Sequence, residues 1–343
     1  MTTTPRAPRP RAPRIIHPAK AAATAPPPLT GVWAPTDTRL DAADLFPLPG
    51  GVGPEDVAVE PDGAVVTGGD DGRIWRWPAG ARPEDPPSLV ADTGGRPLGI
   101  EVDPRDGSLV VCDAYRGLLR VTGHGRVEEL ARDAAGRTIL VCNNAAIAAD
   151  GTVFFTDSSD RYPVHAWKRD VAEHRPNGRL LAYRPEARRA ELVADGLYFP
   201  NGVALTPDEG AVLVAETTTH RLLRMPLAGG DPVEIADLPA YPDNIAAVGD
   251  GTYWVALPSP RVPIAERLLP HPGLRRAALL LPEALQPKPK RYGLVALVDG
   301  EGTVLRTLHG PSGRYRMITG VRQAGDELWL GSLVEPALAR VGR

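Results

Sequence analysis

The chain has 343 residues, 43% of them hydrophobic, and a formal net charge of −3. This length buries a large core, and the near-neutral balance excludes a dedicated nucleic-acid binder, which needs a basic face. No apolar run reaches the ~18 residues that a spanning helix requires.

The N-terminus, "MTTTPRAPRPRAPRIIHPAKAAATAPPP", carries arginine and proline without the apolar centre of a secretory signal. Residues 1–30 read as a disordered, polyproline-like arm, and residues 31–343 as one domain. With neither a secretory signal nor a spanning segment, a cytoplasmic location is expected. Cys112 and Cys142 lie in apolar strand-like runs, without C-x-x-C or zinc spacing. They are expected as buried free thiols, which suits a reducing compartment.

From residue 55 onward one phrase recurs six times. Its copies are "EDVAVEPDGAVVTGG" (55–69), "LGIEVDPRDGSLVVCD" (98–113), "NNAAIAADGTVFFTD" (143–157), "NGVALTPDEGAVLVAE" (201–216), "DNIAAVGDGTYWVAL" (243–257) and "TGVRQAGDELWLGS" (319–332). Each joins two short apolar strands through an Asp/Gly turn, which signals a hairpin. A third and often a fourth strand-like run follows, as in "GRLLAYRP" (178–185) and "AELVAD" (190–195). Four strands per unit, repeated six times, predict an all-β, six-bladed β-propeller with four-stranded blades. The segment "TRLDAADLFPLPG" (38–50) is expected to supply the outer strand that closes the last blade.

Two insertions break the rhythm, at 158–176 in unit three and 258–291 in unit five. Insertions of this kind sit over one face, so the second is expected as a lid over the central channel. An amphipathic patch for peripheral membrane contact is the other reading of its leucines and arginines.

Aligned on their turns, the phrases begin with Glu55, Leu98, Asn143, Asn201, Asp243 and Thr319. Innermost strands line the channel of a propeller, so these positions form a ring at one height. Four carry oxygen donors suited to a hard cation such as Ca²⁺. No histidine or cysteine joins them, which argues against zinc or copper. The competing reading has each polar side chain bond only its own turn. Asp113, Asp157 and Glu216 end second strands on the same side. Asp157 and Glu216 are expected to orient ligands or waters, and Asp113 to cap a turn. The seven histidines show no ligand spacing and are read mostly as surface residues. No nucleophile-elbow, zincin or phosphate-loop motif is present.

The stretches "GPEDVAVEPDG", "GGRPLGIEVD", "FFTDSS", "GLYFPNGVALTPDE", "VAETTTHRLLR" and "YPDNI" resemble the strictosidine synthase-like branch of the calcium-dependent six-bladed propellers. Gluconolactonases and paraoxonase-like esterases are relatives of that branch. The resemblance spans roughly 31–343 and implies a metal held by Glu55, Asn143, Asn201 and Asp243, the same four that the ring supplies. Asn144 rivals Asn143, because the doublet leaves the register open by one. The resemblance places Thr319 where plant strictosidine synthase has its catalytic glutamate, which speaks against a Pictet–Spengler condensation.

The resulting expectation is a Ca²⁺-dependent hydrolase of lactones or related esters. Asp243 would be the general base and Glu55 the metal anchor. A biosynthetic condensation, cyclisation or isomerisation, and a non-catalytic binding propeller with a structural metal, are the alternatives. Tyr115, Trp167, Tyr198 and Phe199 are candidates for the channel wall. A small molecule is the expected partner, and a closed ring allows a monomer or small homo-oligomer.

Overall fold

The computed structural model describes residues 5–13 and 15–342. Six sheets, antiparallel but for one short parallel contact in blade three, surround one axis. The inner strands, one per blade, are Val57–Val59, Pro97–Val102, Cys142–Ile147, Pro200–Leu205, Ile245–Ala247 and Ile318–Ala324. Each pairs with the strand beyond its Asp/Gly turn, as at Val57↔Thr67 and Ile245↔Val255. The expected propeller is therefore what the chain forms.

The ring closes as the sequence predicts. Asp44–Pro47 is the outer strand of blade six and pairs with Ala337–Gly342, in register Asp44↔Arg340 through Pro47↔Ala337. Both ends of the propeller thus share one sheet. Phe46 stacks on Trp329 at 4.6 Å and meets Trp77 edge-on at 6.3 Å, which ties blade six to blade one.

Period-2 alternation along the strands gives every blade two apolar faces, and each junction between blades has its own core. Trp77 and Val57 pack with Leu338 and Trp329 between blades one and six. Val66 and Ile74 pack with Val111 and Leu119 between blades one and two. Each fully buried side chain of this kind contributes about 1.5–3 kcal/mol. Cys112 and Cys142 are free thiols in the core between blades two and three. Burial pushes the Cys142 thiol well above its usual range.

Blade three departs from the four-strand expectation. Its sheet has six strands, because Asp133–Ala134 and Arg137–Thr138 form a small ribbon on its outer edge. Ala135 and Gly136 both take positive φ, 52° and 74°, the geometry of a tight hairpin turn. Ala134 then pairs in parallel with Ala190.

Among the described residues, α-helices occur only where the repeat is interrupted. The first insertion forms the helix Trp167–Glu173, and the second forms Pro263–Leu268 and Pro272–Ala278. Residues 1–4 and 14 of the arm lie outside the described residues. The remainder has no helix or strand before Gly31–Trp33 and runs along the insertions. The His17 amide donates to Glu173 Oε1 at 2.6 Å, and Arg175 Nε donates to the His17 carbonyl at 2.7 Å. The Ala21 amide donates to the Leu269 carbonyl at 3.3 Å. No helix among the described residues is long and apolar enough to cross a membrane.

Candidate metal centre

The inner strands are irregular where the ring residues sit. In blades two, three, four and six the register slips at Leu98, Asn143, Asn201 and Thr319. A bulge re-aims the side chain it carries, so an alternating strand can turn one residue toward the axis. Glu55 and Asp243 stand just before their strands Val57–Val59 and Ile245–Ala247.

The next residue alternates around the ring. Odd blades carry Asp56, Asn144 and Asn244, and even blades carry Gly99, Gly202 and Gly320. A Cβ on Gly202 would lie 2.6 Å from the Asp243 carbonyl. One on Gly99 would lie 2.6 Å from the Asn143 carbonyl, and one on Gly320 would lie 2.9 Å from the Glu55 carbonyl. Each glycine lets its blade approach the ring residue of the next. The polar partner then crosses the other junction. Asp56 Oδ2 accepts from the Ile100 amide at 3.2 Å, and Asn144 Oδ1 accepts from the Val203 amide at 3.0 Å.

All six ring residues line one cavity of about 240 Å³ on the propeller axis. Asn143 Oδ1, Asn201 Oδ1 and Asp243 Oδ1 are buried there without a hydrogen-bond partner among the described residues. A buried oxygen left without a donor is costly, and three on residues that line one cavity leave it rich in unsatisfied acceptors. Glu55 adds a carboxylate that is 3% exposed, with Asn244 Nδ2 donating to its Oε2 at 3.2 Å. Burial, followed by the neighbouring Asp56, pushes the Glu55 carboxyl up to about 8. Burial beside Glu55 holds Asp243 well above the usual carboxylate range. A cation would supply the missing positive charge. Among the described residues no three His, Cys, Asp or Glu side chains cluster as a metal site, so any cation here depends on the two amides.

Hydrogen bonding separates the two amides of the Asn143–Asn144 doublet. Asn144 donates Nδ2 to Asp56 Oδ2 at 3.2 Å and accepts from Val203, so both ends of its amide are used away from the cavity. Asn143 donates Nδ2 to Ser158 at 2.8 Å and leaves its oxygen toward the axis.

Asp157 and Glu216 correct the expectation that they orient ligands or waters. Neither lines the cavity. Asp157 accepts from the Val141 amide at 2.8 Å and pairs with the fully buried Arg179. Glu216 accepts from the Tyr198 amide at 2.8 Å and from Arg221 Nε at 2.6 Å. Asp113 accepts from the Tyr115 and Arg116 amides at 2.9 and 3.0 Å, as its turn-capping reading requires, and from the Arg96 amide at 3.0 Å. Three successive blades thus use a carboxylate at the end of strand two to hold the entry to strand one. Thr319 lines the cavity, and its hydroxyl donates to the Glu55 carbonyl at 2.6 Å, joining the last blade to the first.

The roof comes from the insertions. Trp167, Val171, Val262, Leu268 and Leu279 line it, together with Phe199. Tyr115 and Tyr198 are not in the wall. Tyr115 lies under Arg9, and Tyr198 packs on His174. Phe199 and Met317, each two residues before a ring position, take φ of 52° and 50°. Left-handed backbone at such side chains is strained and concentrates at functional sites.

Sequence reading missed a second polar group in the cavity. His220 Nε2 lies 3.2 Å from Glu266 Oε1, and the Tyr241 hydroxyl donates to the same oxygen at 3.4 Å. The His220–Glu266 approach is close but not aligned as a hydrogen bond. His220 Nε2 and Glu266 Oε2 therefore lack one among the described residues. His220 is buried rather than a surface residue, as is His309. His174 also lines the cavity, and burial followed by Arg275 lowers it to about 4. Glu266 lies in an insertion outside the repeat, so no alignment of blades brings it forward.

A closed six-bladed propeller with an oxygen-lined axial cavity defines the class. The strictosidine synthase profile matches residues 143–229, and the strictosidine synthase-like N-terminal profile matches residues 31–77. Strictosidine synthase-like protein 6 of Arabidopsis thaliana is 35% identical over 295 residues, covering 84% of this chain and 78% of the relative. Human adipocyte plasma membrane-associated protein is 34% identical, covering 92% and 81%. The chain belongs to the strictosidine synthase-like family. In structure it resembles a gluconolactonase from Xanthomonas campestris, with a TM-score of 0.62 and 21% identity over 96% of this chain and 98% of that one. At that identity the likeness speaks for the fold.

Proposed function

We propose that the chain is a Ca²⁺-type metal-dependent hydrolase of lactones or related esters, working in the axial cavity. The observation that carries the reading is that Asn143, Asn201 and Asp243, each with a buried oxygen lacking a hydrogen-bond partner among the described residues, line one cavity with Glu55. These four would hold the cation, and their all-oxygen chemistry suits a hard divalent ion. Such an ion, when bound, supplies Lewis acidity toward a carbonyl oxygen. Asp243 takes the proton of the attacking water as general base. The two asparagines orient without adding charge. The apolar roof excludes bulk water and receives the substrate's hydrocarbon part. A gluconolactonase carries the same fold. Thr319 offers no carboxylate at the position where a condensing glutamate is expected.

The test pairs elemental analysis with hydrolysis of lactones and aryl esters, before and after chelation, for the wild type and Asn201→Ala. The expected result is about one divalent ion per chain. Activity should fall on chelation, return with calcium, and drop by about 10²-fold or more in the variant. Metal bound without turnover of any ester would move the site to another reaction or to a structural role.

A further inference from the structure

The blade-five insertion carries apolar side chains on both its inner and its outer side. Toward the propeller, Leu268, Leu269 and Leu279 line the cavity. Away from it, Ile264, Leu274, Leu280, Leu281 and Leu285 are 50, 56, 82, 45 and 67% exposed. Exposed apolar side chains gathered in one segment mark a docking surface. Here only one face is covered by the chain itself.

Charge identifies what would cover the other. Segment 258–291 holds seven Arg and Lys against two Glu, in a chain of net charge −3. One of those glutamates, Glu266, is buried at the cavity. Arg267, Arg276, Lys288, Lys290 and Arg291 are exposed. Leu274 and Arg276 share the helix Pro272–Ala278. Beside that helix, His17, Arg175 and Arg276 line a surface hollow between the arm and the lid. The hollow has the charge and donors to receive a phosphate group.

We propose that the outer lid face docks on an anionic lipid surface. Its leucines enter the acyl boundary, its basic side chains lie at headgroup level, and the hollow takes a lipid phosphate. Leucine beside lysine and arginine on a short amphipathic segment is the pattern that binds such surfaces, and its strength depends on lipid charge. Docking sets the roof of the cavity against the bilayer. The inference is independent of the hydrolytic reading, because binding is measured without turnover.

The test is co-sedimentation of the full chain with phosphatidylcholine vesicles, with and without phosphatidylserine. Binding is expected only with phosphatidylserine, and high salt should weaken it. The double variant Leu280→Asp/Leu285→Asp should lose about tenfold or more in partitioning. Both side chains are exposed, so the fold is not at risk. Arg276→Glu/Lys290→Glu should lose a similar amount through charge alone. Equal binding by the wild type and both variants, or no binding to either vesicle, would overturn the proposal. A lipid-free dimer that the leucine variant dissociates would assign the face to a second copy instead.

Discussion

The floor and the roof of the cavity are built by different means. The floor is repetitive: six strand entries, each set by a bulge or a strand start, place six side chains at one height. The roof is not: two insertions of unlike length, with the arm laid along them, supply Trp167, Val262, Glu266 and Leu279. Repetition gives the floor a shape that a single substitution does not redesign. The roof is held by a few local contacts and can vary without disturbing the ring. On the proposed hydrolytic reading, chemistry belongs to the repeat and choice of substrate to the interruptions.

Breaking the frame under the floor should have the largest effect. Arg179→Met leaves the buried Asp157 without its cationic partner. The expected loss is about 3–5 kcal/mol of stability, read by denaturant titration. The folded fraction should keep its metal, because neither residue lines the cavity. Loss of metal with unchanged stability would erase the distinction between frame and site.

The floor should also respond to pH. Burial and Asp56 push the Glu55 carboxyl up to about 8, against an ordinary value of 4.5. The metal-free fold therefore keeps a proton there. Its stabilisation is complete below 4.5 and is lost as pH rises through about 8. A cation must displace that proton and any held by Asp243, so affinity should rise by at least about tenfold per pH unit toward 8. Calorimetric titration in buffers of different ionisation enthalpy measures both the slope and the proton released. A flat profile would mean that Glu55 is not a ligand.

The roof should give the smallest effect and a different kind. Glu266→Gln removes the carboxylate that faces His220 and Tyr241. Metal content and stability should stay near wild type, while KM changes by about tenfold or less and the ranking of substrates shifts. Loss of metal in this variant would show that roof and floor are one unit.

Much of the floor could be read from the chain because its signal is repeated. The Asp/Gly turns set the hairpins, and the ring followed from position within the phrase. Asn143 and Asn144 could not be separated that way. They differ only by the bulge, and the deciding bonds to Asp56 and Val203 come from other blades. The small ribbon of blade three depends on one parallel contact, Ala134↔Ala190, far apart in sequence. His220 and Glu266 were illegible for a similar reason, since their meeting depends on how a non-repeating helix lies across the cavity.

The alternation behind the ring has a consequence for blade number. Asp56, Asn144 and Asn244 each meet the glycine of the preceding blade, at Gly320, Gly99 and Gly202. The structural unit is therefore a pair of blades, present three times. Adding or losing one blade would bring two polar entries, or two glycines, face to face at some junction. One arrangement overfills the axis and the other leaves a gap. The parity of the ring is written into its centre, so chains of this pattern can gain or lose blades only in twos.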